Sequence, residues 1–339
     1  MNAPQQPTTT ATLSPLVVSA GAGPFFELGD HRGNVKVSAR QCNGDFALLD
    51  TVADPQGGVP PHVHTREEET FYILEGQFAI QVDDQTILAG PGDTVFAPRN
   101  IAHSWFCVSE TPGRFFLLIT PGANFETFAG EMAQRNFVPA RDMVDPVLAA
   151  QFLALTSEYG IQMLPPDKAV AQQVLASMNL RPVHEPVYVP AGNGLFAELG
   201  DHRGWAKISA QDTGGAFLLG EAQADPNGGV PPHIHRREDE TFYILEGRFA
   251  FMVGGQAVEV GPGDTVFAPR DIVHTWRCTS ESGGRLLILF TPGDNFQTFA
   301  LTMVEQNANP QTDMADPARA VAFVALAARH GIEMVPPTK

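Results

Sequence analysis

The segment PPHVHTREEETFYILEG, residues 60–76, carries two histidines one residue apart, then a polar stretch, then an apolar run. Glu69 stands near the end of the polar stretch, and the apolar run begins two residues later at Phe71. A second copy, PPHIHRREDETFYILEG, occupies residues 231–247. A chain that carries such a segment twice is expected to use it twice, so one arrangement should explain both copies.

Nearly the whole chain is a tandem duplication with an offset of 171 positions, since residue 60 corresponds to residue 231. ELGDHRG at 27–33 returns at 198–204, GPGDTVFAPR at 90–99 returns at 261–270, and TPG-x-NF at 120–125 returns at 291–296. A period this long is typical of a duplicated domain and not of a solenoid. We predict domains over residues 16–166 and 187–337, a disordered tail over 1–15, and a linker with a short helix over 167–186.

Composition favours a soluble, globular protein that acts on small molecules. The 339 residues include 38 acidic and 21 basic side chains, a formal net charge of -17, which disfavours nucleic acid and membrane partners. The N-terminal stretch lacks the features of a signal peptide. The sequence has no apolar run of about 18 residues, so no transmembrane helix is expected. Three cysteines are too few for a disulfide scaffold and favour a cytoplasmic location. The sequence leaves homo-oligomerisation open.

Short apolar segments bounded by glycine and proline predict an all-β fold. FYILEGQFAIQV, TVFAP and RFFLLIT in the first copy are rich in Phe, Val and Ile. Strands at this spacing predict an antiparallel barrel or jelly roll in each copy. Residues 146–159 and 317–330 follow an Asp-Pro start and stop at glycine, which predicts a short helix that packs on a barrel edge.

Three histidines and one glutamate in each copy form a candidate metal site. His62 and His64 share one face of a strand, because side chains alternate along a strand. A chance pair of histidines on a solvated strand is the alternative, but the recurrence of H-x-H-x4-E-x6-G argues against it. Three imidazoles and one carboxylate suit a borderline divalent cation. The predicted ligands are His62, His64, Glu69 and His103, and then His233, His235, Glu240 and His274.

These residues resemble the two motifs of the cupin superfamily, and specifically those of its two-domain members, the bicupins. The motif glycines and prolines are matched by Gly57, Gly76, Gly92 and Pro98 in the first copy and by Gly228, Gly247, Gly263 and Pro269 in the second. Two motif positions depart in both copies, at Asn100 and Cys107 and at Asp271 and Cys278, and neither departure removes a ligand. The resemblance implies two tandem double-stranded β-helix barrels with one divalent metal in each.

Aromatic side chains are expected around each metal. Alternation from His103 and His274 places Trp105 and Trp276 on the ligand face of their strands. Phe71 and Phe242 come two residues after the glutamates and are predicted to join them in a substrate pocket. Ordinary barrel core is the alternative interpretation of each aromatic residue. A metal surrounded by Trp and Phe suits a flat aromatic or enolic ligand.

Within the superfamily the chain is similar to the flavonol dioxygenases known as quercetin 2,3-dioxygenases, through REDETFYILEG, GPGDTVFAPR and TPG-x-NF. The resemblance implies a metal-dependent dioxygenase that cleaves a flavonol or a similar aromatic enol with O2. Glu69 and Glu240 would serve as ligands and as the bases that take the proton of the substrate hydroxyl. The ligand set suits iron, manganese, nickel, cobalt, copper or zinc and does not distinguish among them.

Two other classes of function stay open. An oxalate-decarboxylase-like bicupin acting on a small acid would need a cationic pocket, for which Arg99 and Arg270 are the repeated candidates. A metal-dependent isomerase, a cyclase or a ligand-binding cupin would use the same ligands without consuming oxygen.

The remaining repeated polar residues are predicted to be structural. His31 and His202 are interpreted as turn residues with a structural hydrogen bond. A solvated loop is predicted for Glu67, Glu68, Glu238 and Asp239.

Overall fold

The structure is a computed structural model that describes residues 13–135, 137–138 and 144–336. Residues 1–12 of the predicted disordered tail and residue 337, the predicted end of the second domain, lie outside the described residues. Among the described residues, no helix combines the length and apolar character needed to cross a membrane.

Twelve strands are described in the first half of the chain. They are β1 Leu16–Val18, β2 Phe25–Glu27, β3 His31–Val37, β4 Ala47–Ala53, β5 Gly58–His64, β6 Glu68–Glu75, β7 Phe78–Val82, β8 Gln85–Ala89, β9 Thr94–Ala97, β10 His103–Cys107, β11 Gly113–Thr120 and β12 Ile161–Met163. Helices α1 Ala123–Gln134 and α2 Pro146–Glu158 follow β11, and α3 Lys168–Met178 lies in the predicted linker. A 3-10 turn spans Ala39–Cys42.

The second half repeats this order. Its strands are β13 Val187–Val189, β14 Leu195–Glu198, β15 His202–Ile208, β16 Leu218–Ala224, β17 Gly229–His235, β18 Asp239–Glu246, β19 Phe249–Val253, β20 Gln256–Val260, β21 Thr265–Ala268, β22 His274–Cys278, β23 Gly284–Thr291 and β24 Ile332–Met334. Its helices are α4 Asp294–Glu305, α5 Pro310–Ala315 and α6 Pro317–Arg329. The predicted all-β fold with two tandem barrels and a few flanking helices is confirmed.

Each barrel consists of a seven-stranded and a five-stranded antiparallel sheet. In the first half the orders are β13-β9-β6-β11-β4-β3-β2 and β12-β5-β10-β7-β8. In the second half they are β1-β21-β18-β23-β16-β15-β14 and β20-β19-β22-β17-β24. The first strand of each half therefore pairs with the sheet of the other half, with Leu16 opposite Phe267 and Val187 opposite Phe96. The domain limits 16–166 and 187–337 stay a prediction, because these exchanged strands join the halves.

The outer faces of the two seven-stranded sheets pack against each other in one apolar cluster. Two matched polar networks cross this interface. The Tyr72 hydroxyl donates to the Glu221 carboxylate at 2.9 Å, and Arg285 donates to the same carboxylate at 2.6 Å. In the reciprocal network, Tyr243 donates to Asp50 at 3.0 Å. Both carboxylates are buried, so each needs these partners to offset the loss of water.

We expect Tyr72→Phe to lower the free energy of unfolding by about 1–3 kcal/mol, because the buried Glu221 carboxylate loses a hydrogen-bond donor. Urea unfolding followed by circular dichroism measures the change. Tyr243→Phe should cost a similar amount in the matched network. Tyr188→Phe is the control, since that ring is 41% exposed and its hydroxyl contact to Asp93 is 3.3 Å. An equal loss in all three variants would contradict a special role for the interface networks.

Helices close the mouth of each barrel. Phe128 and Met132 of α1 and Phe152 of α2 pack with β12 over the first barrel, and α4, α6 and β24 do the same over the second. The predicted Asp-Pro starts are confirmed, since Asp145 accepts a hydrogen bond from the Val147 amide at 2.8 Å. The helices cover the barrel mouth, where their side chains line the cavity above the ligand cluster.

Candidate metal centres

Three strands bring the predicted ligands of the first half together. His62 and His64 lie on β5, and β10 pairs with β5 so that His103 stands opposite His62. Glu69 is the second residue of β6. The second half repeats the arrangement, with His233 opposite His274.

Both ligand clusters are compact and buried. Within each cluster, one candidate ligand atom from each residue lies within 4.8 Å of all the others. His103 Nε2 is 3.1 Å from Glu69 Oε2, and His274 Nε2 is 2.7 Å from Glu240 Oε2. Each of the eight side chains belongs to a residue that is at most 4% exposed. Two buried clusters of three histidines and a glutamate are suited to a divalent transition metal, whose identity this donor set leaves open.

Hydrogen bonds at Nδ1 fix the orientation of the histidine rings. His62 Nδ1 lies 2.8 Å from the Pro60 carbonyl oxygen, and His103 Nδ1 lies 3.1 Å from the Ile101 carbonyl oxygen. Their counterparts in the second half make the same contacts at 2.9 and 3.0 Å. Because a carbonyl oxygen only accepts, Nδ1 carries a proton, and Nε2 is the ring nitrogen that faces the cluster and can bind a cation once it is deprotonated. Metal-binding histidines are oriented in this way.

Burial and mutual contacts set the protonation of the cluster. Burial lowers the pKa of His62 well below its ordinary value, and the imidazoles of His103 and His64 lower it further. Burial and two neighbouring imidazoles likewise lower the pKa of His233. For Glu69, burial raises the pKa, but a hydrogen bond with His103 and the charges of the surrounding histidines outweigh it and lower the pKa to about 2. A neutral imidazole and an ionised carboxylate are the forms that bind metal.

The prediction of a solvated loop at Glu67, Glu68, Glu238 and Asp239 is wrong, because all four residues are at most 4% exposed. Glu67 Oε2 lies 3.1 Å from His64 Nδ1, and Asn124 at the start of α1 donates to the other carboxylate oxygen. Arg66 in turn donates to the Asn124 side chain at 2.9 Å. Arg237, Asn295 and Glu238 repeat this chain of contacts beside His235. The recurrence of the glutamate and the asparagine at matched positions was the available sequence signal.

We expect Glu67→Gln to weaken metal binding in the first half by about 10–100-fold, because His64 loses the charged acceptor that orients its ring. Competition with a chromophoric chelator measures the affinity of each site. Glu238→Gln should weaken only the second site, and the exposed Glu110→Gln should change neither. Unchanged affinity in both buried variants would contradict a positioning role for these carboxylates.

An apolar cavity adjoins each cluster, with a volume of about 90 Å³ in the first half and about 140 Å³ in the second. Trp105 and Trp276 form part of the cavity walls. Phe71 and Phe242 do not line either cavity, and they are 1% and 0% exposed. Alternation places them on the inner face but does not give their depth along the barrel.

His31 and His202 also lie in the cavity walls, which the sequence did not indicate. The predicted structural hydrogen bond is present, since His31 Nδ1 lies 2.8 Å from Asp30 Oδ1. The His31 ring also packs edge-on against Trp105, with ring centroids 5.3 Å apart. His31 is the first residue of strand β3, is 7% exposed and lines the cavity, so the prediction of a turn residue is wrong.

Known proteins share this architecture. The Cupin domain family matches residues 50–119 and 220–290. Quercetin 2,3-dioxygenase of Bacillus subtilis (strain 168) is 23% identical over 269 residues, which cover 78% of this chain and 79% of that protein. The Lactobacillus farciminis oxalate decarboxylase formate complex has a TM-score of 0.57 at 16% identity, covering 89% of this chain and 96% of that one. Procruciferin, an 11S globulin from Brassica napus, has a TM-score of 0.56 at 11% identity, covering 85% and 87%. Because structures of an enzyme and a globulin both match, these likenesses establish the fold, and function must be argued from the site.

Proposed function

We propose that this chain, each half of which matches the Cupin domain family, is a metal-dependent dioxygenase that cleaves a flavonol or a similar aromatic enol with O2. The observation that carries the proposal is the position of each cluster of three histidines and a glutamate at the wall of an apolar, aromatic-lined cavity. The similarity to a quercetin 2,3-dioxygenase over most of both chains supports the same class of substrate.

The eight predicted ligands would each offer one donor atom, four to a metal, in a buried site. A divalent cation held there would supply a Lewis acid that acidifies a substrate hydroxyl and, with positions left open, a place for reaction with O2. The Glu69 and Glu240 carboxylate oxygens are the proton acceptors within the clusters.

The cavity walls would orient the substrate and keep water out. Trp105 and Trp276 form part of the walls beside the clusters, and the helices over the barrel mouths add Phe128 and Phe299. A planar substrate stacked against these rings would hold its hydroxyl toward the glutamate. The scarcity of polar wall atoms disfavours water beside the substrate anion, and so limits its reprotonation.

The side chains of the cavity walls disfavour a small dicarboxylate as the substrate. No lysine or arginine is found in the walls of either cavity among the described residues. Arg99 lines a separate polar crevice together with Thr120 and Thr291, and Arg270 is paired with Asp239 at 3.0 Å. A dianion such as oxalate would therefore meet the cluster carboxylate with no cationic side chain in the cavity to offset the repulsion.

Oxygen uptake by the full chain, reconstituted separately with each candidate metal, tests the proposal. The substrates are a flavonol, a simple enol and oxalate, and mass spectrometry with ¹⁸O₂ follows the products. We expect uptake with the flavonol, both labelled oxygen atoms in its products, and no turnover of oxalate. Decarboxylation of oxalate would support the small-acid alternative instead. Conversion of the enol without oxygen uptake would indicate an isomerase or a cyclase.

A further inference from the structure

The two cavities differ in size although their ligand clusters are matched residue for residue. The second cavity is larger by about half, at about 140 Å³ against about 90 Å³. Three matched wall positions carry larger side chains in the first half, where Phe26, Leu49 and Thr51 correspond to Ala197, Gly220 and Ala222. The first cavity is therefore filled by its own wall at the place where the second is open.

Gly220 lies beside an extension that only the second cavity has. It pairs with Ala206 on β15 and with Ile288 on β23, and all three residues line the cavity. From there the wall continues to Leu195, which is 48% exposed, so the extension reaches toward the surface. At the matched place in the first half, Leu49 is only 6% exposed and belongs to the apolar barrel core.

The backbone around Gly220 does not require a glycine. A Cβ atom there would lie 3.8 Å from the carbonyl oxygens of Ile288 and Trp205, which is ordinary van der Waals contact. At Gly229, by contrast, a Cβ atom would lie 2.1 Å from the Trp276 carbonyl oxygen. Gly229 is thus demanded by close strand packing, whereas the missing side chain at Gly220 serves mainly to leave space in the cavity.

We propose that the second site accepts hydroxyketones of flavonol size, that the first accepts only those of about one ring, and that Gly220 sets this difference. The ligand class rests on the function proposed above, whereas the size difference rests on the cavity walls alone. The hydroxyl and carbonyl of such a ligand lie at the cluster in both halves. In the second half its additional rings extend past Gly220 toward Leu195, and in the first half Leu49 occupies that space.

Anaerobic calorimetric titration of the metal-reconstituted full chain tests this difference with two probes. Both probes carry a hydroxyl group next to a carbonyl group. 3-Hydroxyflavone carries a fused ring system and a phenyl group, and maltol has a single ring. We expect the wild-type chain to bind one 3-hydroxyflavone and two maltol molecules. Gly220→Leu should weaken 3-hydroxyflavone binding by about 10–100-fold, because a leucine overfills the extension, and should still bind two maltol molecules.

Two further variants sharpen the experiment. Gly220→Ala adds one methyl group and should weaken 3-hydroxyflavone less than Gly220→Leu does. Leu49→Ala should create a second 3-hydroxyflavone site while maltol binding stays at two per chain.

A wild-type chain that binds two 3-hydroxyflavone molecules, or none, would overturn the inference. So would a Gly220→Leu variant that keeps its affinity for 3-hydroxyflavone or loses a maltol site. A Leu49→Ala variant that gains no second 3-hydroxyflavone site would also contradict it. The outcome for the proposed function is separate. If the stoichiometries are as expected but the wild-type protein consumes no oxygen with 3-hydroxyflavone, the dioxygenase proposal fails and the size difference stands.

Discussion

Replacing Glu69 and Glu240 together by glutamine is expected to lower the rate of oxygen uptake with a flavonol by about 10²–10⁴-fold, the range that a positioned proton acceptor contributes. Glutamine keeps the size of the side chain and an oxygen that can face a cation, but its amide does not take a proton near neutral pH. The loss should therefore appear in kcat. An oxygen electrode measures the rate, and elemental analysis of the same samples shows how much metal each variant retains.

The single variants divide this effect between the halves. With a three-ring flavonol, Glu240→Gln should cause most of the loss and Glu69→Gln little, whereas a single-ring enol should be affected by both. Glu75→Gln and Glu246→Gln are matched controls, because these glutamates lie on the same strands with side chains 66% and 62% exposed. Wild-type turnover by a metal-loaded double variant would contradict the role of Glu69 and Glu240 as bases.

Removing the metal by chelation is expected to lower the melting temperature by on the order of 10 °C. A ligand that binds only the folded state, present at about 1,000 times its dissociation constant, stabilises by about 4 kcal/mol per site. The stripped clusters also retain buried polar groups that have lost their central partner. Differential scanning calorimetry with and without added metal measures the shift, and returning the metal should restore the melting temperature.

Variants of the third histidine identify the source of the shift. His103→Ala or His274→Ala should each reduce the effect of chelation, and the double variant should show none. A chelator that destabilises the double variant as much as the wild-type protein would place the stabilising ion elsewhere. No shift in the wild-type protein would contradict metal binding at the buried clusters.

The ligand clusters were accessible to sequence reasoning because their geometry is mostly local. Strand alternation places His62 and His64 on one face, and the duplication shows that the spacing to His103 is maintained. The prediction failed where burial depends on distant segments. Glu67 is buried because Asn124, 57 positions later in the chain, packs against it at the start of α1.

Long-range strand pairing was also beyond the sequence. β1 pairs with β21, so that Leu16 lies opposite Phe267 much further along the chain, and nothing in three apolar residues encodes that partner. A period-two pattern also does not distinguish residues along the length of a barrel, so it groups Phe71 with Trp105 although Trp105 lines the cavity and Phe71 does not. The difference between Leu49 and Gly220 can be read from the sequence, but its consequence depends on where the cavity extends.

The central claim, that each barrel binds one cation at its histidines and glutamate, is tested most directly by counting bound ions. Elemental analysis of the purified full chain, supplied with transition metals and then freed of excess, should give two ions per chain. The His62→Ala/His64→Ala variant should bind one, and adding His233→Ala/His235→Ala should leave none. Metal binding at these clusters would be contradicted by a wild-type protein with no bound ions. It would also be contradicted by two bound ions in the variant in which all four histidines are replaced.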